Sequence, residues 1–148
     1  MTSQTAAAPL LDEQICFALY SASRAFTSRY RELLEPLGLT SPQYLAMLVL
    51  WESEPMSVRH LGERLQLDSG TLSPLLKRLD AAGLITRTRA VDDERSVLVG
   101  LTAAGDSLRA KAVGIPQQLC ASTGLTPADL GRLQAELSSL TATMRSAT

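Results

Sequence analysis

The side chains of this sequence best suited to covalent redox chemistry are its two cysteines, Cys16 and Cys120. Tyr20 follows Cys16 by four residues, which on a helix is the next turn of the same face and within contact range. Tyr30 follows by fourteen. That is nearly the same face again, but roughly 21 Å further along the axis at about 1.5 Å per residue. Tyr30 therefore cannot touch Cys16 of its own straight helix, and would reach the Cys16 of a second chain if two such helices met antiparallel. Phenolic hydroxyls donating to a sulfur favour the thiolate, the form that attacks peroxides. No Lys or Arg lies within a helical turn of Cys16, so hydroxyl donors or an approaching helix end must supply any activation. Cysteine also serves as a small buried hydrophobe, and that plain role competes for Cys16 until its neighbours are read. Cys120 lies 104 residues further on. In a chain read as cytoplasmic, two cysteines point to a redox pair more than to a structural disulfide.

A second group of side chains has the pattern of a DNA reader. The stretch DSGTLSPLLKRLDAAG from Asp68 carries Leu72, Leu75, Leu76 and Leu79 at the spacing of one helix face. Thr71, Ser73, Lys77 and Arg78 lie opposite, with no large apolar side chain among them. Val58, Leu61 and Leu65 mark a short amphipathic helix just before, and residues 66–68 make a tight connection. Two short helices, the second polar and basic outside, suit a recognition helix in a major groove. An ordinary helical hairpin with a solvated face is the plain alternative. Pro74 lacks an N–H and fits if Thr71 caps the helix, placing the proline in the first turn; a start nearer Asp68 puts it inside. Both placements remain open.

The next residues favour the DNA reading. Gly83 stops the helix, and residues 84–89 alternate, with Ile85, Arg87 and Arg89 on one side. Residues 97–101 return rich in valine, so a two-stranded wing is expected with a charged tip at 90–96. Arg95 at that tip suits the concentrated negative potential of a minor groove, and Asp93 beside it would hold the guanidinium in pose. Composition pushes back. The net charge is −1, and residues 57–100 hold seven Lys and Arg against six Asp and Glu. Sequence-indifferent attraction to DNA should be modest, and affinity must come from placed residues doubled by two-fold symmetry.

The elements that position these groups are helical. Residues 10 to about 35 form a long first helix ending before Pro36 and Gly38, and Ser41 and Pro42 open a second that carries Leu45, Leu48 and Val49. Residues 102 to about 122 are helical with a break at Gly114 and Pro116. Thr126, Pro127 and Asp129 start a last helix whose Leu130, Leu133, Leu137, Leu140 and Met144 form a seam. Terminal helices outside a winged module need something to pack on, which implies a homodimer. The expected organisation is a disordered 1–9, N-terminal helices at 10–55, a DNA-binding region at 56–101 and dimerisation helices at 102–148, a single domain overall. The fold class is mainly α with a small β wing. Residues 1–9 lack the basic start and apolar run of a signal peptide, and no apolar run is long enough for a membrane span, so a cytoplasmic protein is expected. With one histidine and two cysteines no metal site is expected, and no cofactor.

ICFALYSASRAFTSRY from Ile15, SPQYLAMLVLWE from Ser41, LDSGTLSPLLKRL from Leu67 and DDERSVLVGLT from Asp92 occur in that order. Through them, over about residues 10–145, the chain resembles the organic-hydroperoxide-responsive (OhrR-type) repressors of the MarR family of winged-helix regulators. The resemblance implies a homodimer that represses a peroxidase gene through a pseudo-palindromic operator in double-stranded DNA. It implies that Cys16 senses organic hydroperoxide and that Tyr20 and Tyr30 match tyrosines around the sensing sulfur, Tyr30 across the dimer. Cys120 matches the resolving cysteine of the two-cysteine branch, which bonds the sensing cysteine of the other subunit. One position departs: Ser41 stands where the family usually has a tyrosine, and its hydroxyl is too short to replace a phenol. Tyr44 nearby has a packing role in that motif.

The expected mechanism follows. The reduced dimer binds DNA through Ser69, Thr71, Ser73, Lys77 and Arg78 in the major groove and Arg95 in the minor groove, with Arg87 and Arg89 on phosphates. Oxidation of Cys16 to a sulfenic acid is followed by disulfide closure with the partner's Cys120, and the resemblance implies that this closure turns the winged lobes out of operator spacing. A MarR-type repressor released by a small phenolic ligand would share the fold. A thiol peroxidase would use the same cysteine as an enzyme and need no DNA, and a purely structural dimerisation module leaves the polar helix face unexplained.

Overall fold

The chain alternates helices with short connections, and five of the seven α-helices among the described residues start at a side chain that satisfies otherwise unpaired N–H groups. The structure, a computed structural model, describes residues 7–91 and 96–147. After a 3-10 turn at Leu11–Glu13 come α1 (Ile15–Leu34), α2 (Ser41–Glu52), β1 (Met56–Ser57), α3 (Val58–Leu65) and α4 (Ser69–Ala81). Then follow β2 (Ile85–Arg89), β3 (Val97–Leu101), α5 (Ala103–Ala112), α6 (Ile115–Thr123) and α7 (Pro127–Ser146). Thr40 and Gln43 close a reciprocal capping box on α2, and Ser57, Thr102 and Thr126 cap α3, α5 and α7.

Two features depart from the sequence reading, the start of the first helix and the number of strands, and the placement of Pro74, left open there, is settled. The first helix begins at Ile15, not near residue 10, because Gln14 is extended and the turn before it is 3-10. Pro74 lies inside α4: Asp68, not Thr71, is the cap, its Oδ1 accepting from the Thr71 N–H at 2.7 Å. The proline has no N–H to offer the Gly70 carbonyl, and both residues are on the exposed face of the helix. The sheet has three strands, not two, in the antiparallel order β1-β3-β2, with Met56 and Arg87 both in register with Val99. A two-residue strand has no period to read, so β1 left no signal. The break at Gly114 and Pro116 and the start of α7 are as expected.

One core holds the winged lobe together. Met47, Leu50, Leu61, Leu72, Leu76, Leu79, Ile85 and Val99 are fully buried, with Leu34 the contribution of α1. Trp51 seals the junction with α5, its Nε1 donating to the Gly105 carbonyl at 2.9 Å. Gly105 is required there, since a Cβ would lie 2.0 Å from the Leu84 carbonyl oxygen. Gly83, at φ +75°, ends α4 with bonds from its own N–H to Asp80 and from the Leu84 N–H to Leu79. On α2, Leu45 and Leu48 face outward, while Tyr44, Met47, Leu50 and Trp51 take the core side. The two longest helices are barely used: α1 buries Leu34 alone, and α7 buries nothing. Among the described residues no helix is long and apolar enough to cross a membrane.

Candidate functional site

The outer surface of α4 is built by its leucines. With Leu72, Leu75, Leu76 and Leu79 buried, Ser69, Thr71, Ser73, Lys77 and Arg78 are all exposed. At about 100° per residue they fall on two lines, Ser69, Ser73 and Lys77 on one flank and Thr71 with Arg78 on the other. Between the flanks run Gly70 and Pro74, small residues that let a helix backbone approach closely. Ser69 and Ser73 share a cleft of about 870 Å³ with Arg87 of β2 and, unforeseen in the sequence, with Arg59 of α3 and Arg145 of α7. Thr71, Lys77 and Arg78 lie outside this cleft.

Asp68, which starts α4, has its carboxyl held below the ordinary value, first by the Thr71 backbone N–H and then by the Thr71 hydroxyl. Arg87, expected to point at phosphate, is engaged within the chain: its Nε and Nη2 donate to Asp80 Oδ2 at 3.1 and 2.8 Å. Arg89 is exposed at the far end of β2. Asp93 and Arg95, expected to work at the wing tip, lie outside the described residues. Sequence reasoning missed Asp80, because an acidic residue seven positions from an arginine carries no periodic signal across a turn.

The sulfur site is on α1, and the cleft beside it adjoins the α4 cleft at Gln66 and Arg145, which line both. Because α1 begins at Ile15, Cys16 occupies its first turn, where backbone N–H groups have no helical partner. Cys16 is exposed. Tyr20 is one turn on and 63% exposed, with the Arg24 guanidinium 5.5 Å from the centre of its ring. Tyr30 is packed instead, its ring 5.7 Å from that of Tyr44, which in turn meets Trp51 at 6.4 Å. Tyr44 therefore has the packing role expected of it. Burial raises the Tyr30 phenol above its ordinary value, with the Tyr44 phenol adding to the effect, so Tyr30 stays a protonated donor at neutral pH. Ser41 is half-buried as the first residue of α2, one position after the Thr40 cap.

Cys120 is half-buried near the end of α6, its thiol 3.7 Å from the Leu125 carbonyl oxygen. Arg29 Nε donates to Ser122 Oγ at 2.8 Å, which fixes the end of α6 beside the Tyr30 end of α1. Cys16 is thirteen residues back from Arg29, about 20 Å along the helix. Tyr30 and Cys120 of one chain are thus neighbours in level, and both are far from their own Cys16. An open cleft of about 930 Å³ between α1, α6 and α7 is lined by Ile15, Phe26, Tyr30, Leu119, Leu133 and Leu137, among others.

A short helix, a capped helix with a polar outer surface and an antiparallel hairpin behind it define a winged helix-turn-helix, the architecture of DNA-binding transcriptional regulators. The MarR family pattern matches residues 39–97. The organic hydroperoxide resistance transcriptional regulator of Bacillus subtilis is 48% identical over 134 residues, covering 90% of this chain and 91% of its own. This chain belongs to the MarR family of transcriptional regulators. Among solved structures, reduced AbfR of Staphylococcus epidermidis bound to DNA is 32% identical and superposes with a TM-score of 0.76 over 90% of this chain and 94% of that one. The disulfide-formed AbfR is 35% identical, with a TM-score of 0.63 over 88% and 91%.

Proposed function

We propose that the chain is a homodimeric redox-responsive repressor that holds operator DNA when Cys16 is reduced and releases it after oxidation by an organic hydroperoxide. The observation that carries the reading is Cys16 itself, exposed in the first turn of a helix of which its own chain buries only Leu34, on a molecule that also carries a winged helix. The relatives support it: one is named for organic hydroperoxide resistance, and another is described reduced on DNA and in a disulfide form. The chain superposes alike on the reduced and the overoxidised DNA-bound structures, 0.76 and 0.75, and less well on the disulfide one, 0.63.

What α1 and α7 leave uncovered supports the dimer. Ile15, Leu19, Leu133, Leu137 and Met144 remain exposed on two twenty-residue helices, and a second copy would bury them. If the α1 helices cross antiparallel, Cys16 of one chain meets the level of Tyr30 and Cys120 of the other. The sulfur attacks one peroxide oxygen, the O–O bond breaks, an alcohol leaves and Cys16 becomes a sulfenic acid. The partner's Cys120 thiol then attacks that sulfur, water leaves, and an intersubunit disulfide forms. A dithiol reductant restores both thiols. On the DNA side, Ser69, Thr71, Ser73, Lys77 and Arg78 read the major groove and Arg89 meets phosphate, with Arg95 in the minor groove.

Fluorescence anisotropy tests this with duplex DNA from upstream of the gene, before and after about one equivalent of organic hydroperoxide. Binding lost on oxidation and restored by a dithiol is the expected result. Cys16→Ser should bind and ignore peroxide; a Cys16→Ser protein that still releases DNA on peroxide overturns the sensor assignment. The apolar cleft beside Tyr30 supports one other reading, release by a small aromatic ligand, which Cys16→Ser would leave intact.

A further inference from the structure

Asp80 is the penultimate residue of α4, a place where a carboxylate opposes the helix dipole and adds negative charge beside the DNA that the helix approaches. Its partner lies across the turn on β2: Arg87 donates to Asp80 from two nitrogens, Nε at 3.1 Å and Nη2 at 2.8 Å. The arginine side chain is 33% exposed and the aspartate 43%, so as an ion pair it contributes little stability. Its effect is geometric. Arg87 stands in register with Val99, which is fully buried, and Ile85, two residues back on the same face, is buried too. Arg89, two residues on, is exposed. Arg87 is therefore where the core-facing side of the hairpin makes its last polar anchor to the helices among the described residues. From Arg87 the strand runs two residues to Arg89 and the chain two more to Val91, a lever of up to about 13 Å. Play of about 10° at the anchor moves the far end by about 2 Å, more than a placed groove contact tolerates.

We propose that Asp80 is a positioning residue for operator recognition: by holding the Arg87 guanidinium against α4, it sets the angle at which the wing leaves the recognition helix. The inference rests on the reading of α4 and the wing as the DNA-contacting surface. Neutralising Asp80 then has two effects of opposite sign. Removing a negative charge from the DNA side tightens sequence-indifferent binding, while loosening the wing weakens binding to the operator. A purely electrostatic role would move both affinities in the same direction, and a role confined to stability would move neither in folded protein.

The experiment measures reduced full-length protein on upstream operator DNA and on a scrambled duplex of equal length at one salt concentration. For Asp80→Asn, operator affinity is expected to fall about five-fold and scrambled affinity to rise about two-fold, a ten-fold loss in their ratio. Arg87→Gln should lower the ratio as well, and the exchange Asp80→Arg with Arg87→Asp should recover most of it. Thermal unfolding confirms that each variant is folded, and Arg87→Gln carries the test if Asp80→Asn is not. An unchanged ratio in a folded variant of either residue overturns the inference. Arg95→Ala separates the two levels of the argument. If operator affinity ignores it, the wing does not enter a groove and the underlying reading fails. If Arg95→Ala weakens the operator complex but Asp80→Asn leaves the ratio intact, the positioning role alone is wrong.

Discussion

Replacing Leu133 and Leu137 of α7 together by alanine should dissolve the proposed dimer and leave the winged lobe folded. The two side chains keep 39% and 37% of their surface exposed within one chain. Full burial of a leucine stabilises by about 1.5–3 kcal/mol, so each leaves about 1 kcal/mol unrealised in the monomer. A two-fold dimer counts both residues twice, making about 3–4 kcal/mol, or a several-hundred-fold weaker dimer. Sedimentation equilibrium from nanomolar to micromolar protein measures that shift directly, and circular dichroism checks that helix content persists. Full-site operator binding should weaken in step, while affinity for an isolated half-site stays constant, since neither leucine lines the cleft on α4. A double variant that dimerises as tightly as the parent would refute the assignment of α7 to the interface. Loss of the dimer with full operator affinity retained would refute the claim that DNA reading needs two copies.

Other outcomes are equally specific. Tyr30→Phe should slow Cys16 oxidation by about ten-fold or more, the scale of a lost hydrogen bond to a charged sulfur, with operator affinity unchanged. Sulfenic-acid trapping against time reads that rate, and an unaltered rate would exclude Tyr30 from the sulfur's surroundings. Gly105→Ala forces a methyl to within 2.0 Å of the Leu84 carbonyl oxygen. It should cost about 3 kcal/mol and lower Tm by about 10 °C, seen by scanning calorimetry. Asp68 is held below its ordinary 3.8 in the folded state, so its contribution is present above that pH and is lost as pH falls through the lower folded value. The Tm difference between the parent and Asp68→Ala should accordingly shrink below pH 3.8, and a constant difference down to pH 2 would contradict the cap's ionic character.

The recognition helix was legible because its four leucines repeat at helical spacing and its polar residues do not. The start of α7 was legible because Thr126, Pro127 and Asp129 each satisfy a separate demand of a helix N-terminus. The start of α1 was not, since the apolar pattern continues back through Leu10 and Leu11 while the backbone turns 3-10 and then extends at Gln14. That difference matters chemically, because it moves Cys16 from a helix interior to a first turn. The two-residue β1 was invisible for want of length. The Asp80–Arg87 pair was hidden by its nature: it joins a helix end to a strand, and its existence depends on how Gly83 turns the chain. Resemblance to a family supplied the roles of Cys120 and Tyr30, which spacing in one chain does not assign.

Under the proposed mechanism, the distribution of buried side chains decides how oxidation would reach the DNA. Nearly all fully buried side chains belong to the winged lobe, from Met47 through Val99, whereas α7 contributes none and α1 only Leu34. Repositioning α7 therefore disturbs few packed contacts within a chain, whereas α1 is held to the rest of its own chain through Leu34, the Tyr30–Tyr44 contact and the Arg29–Ser122 bond. Loosening α4 would open four buried leucines at about 1.5–3 kcal/mol each. The softer motion wins, so disulfide closure should displace winged lobes as rigid bodies and leave each recognition helix intact. Amide hydrogen exchange distinguishes the two routes: α4 should keep its protection in the oxidised protein while α1 and α7 change theirs. Half-site affinity should also survive oxidation, with the loss confined to full sites of native spacing. If oxidation instead strips protection from α4, the signal acts by unfolding the reader, and the packing argument is wrong.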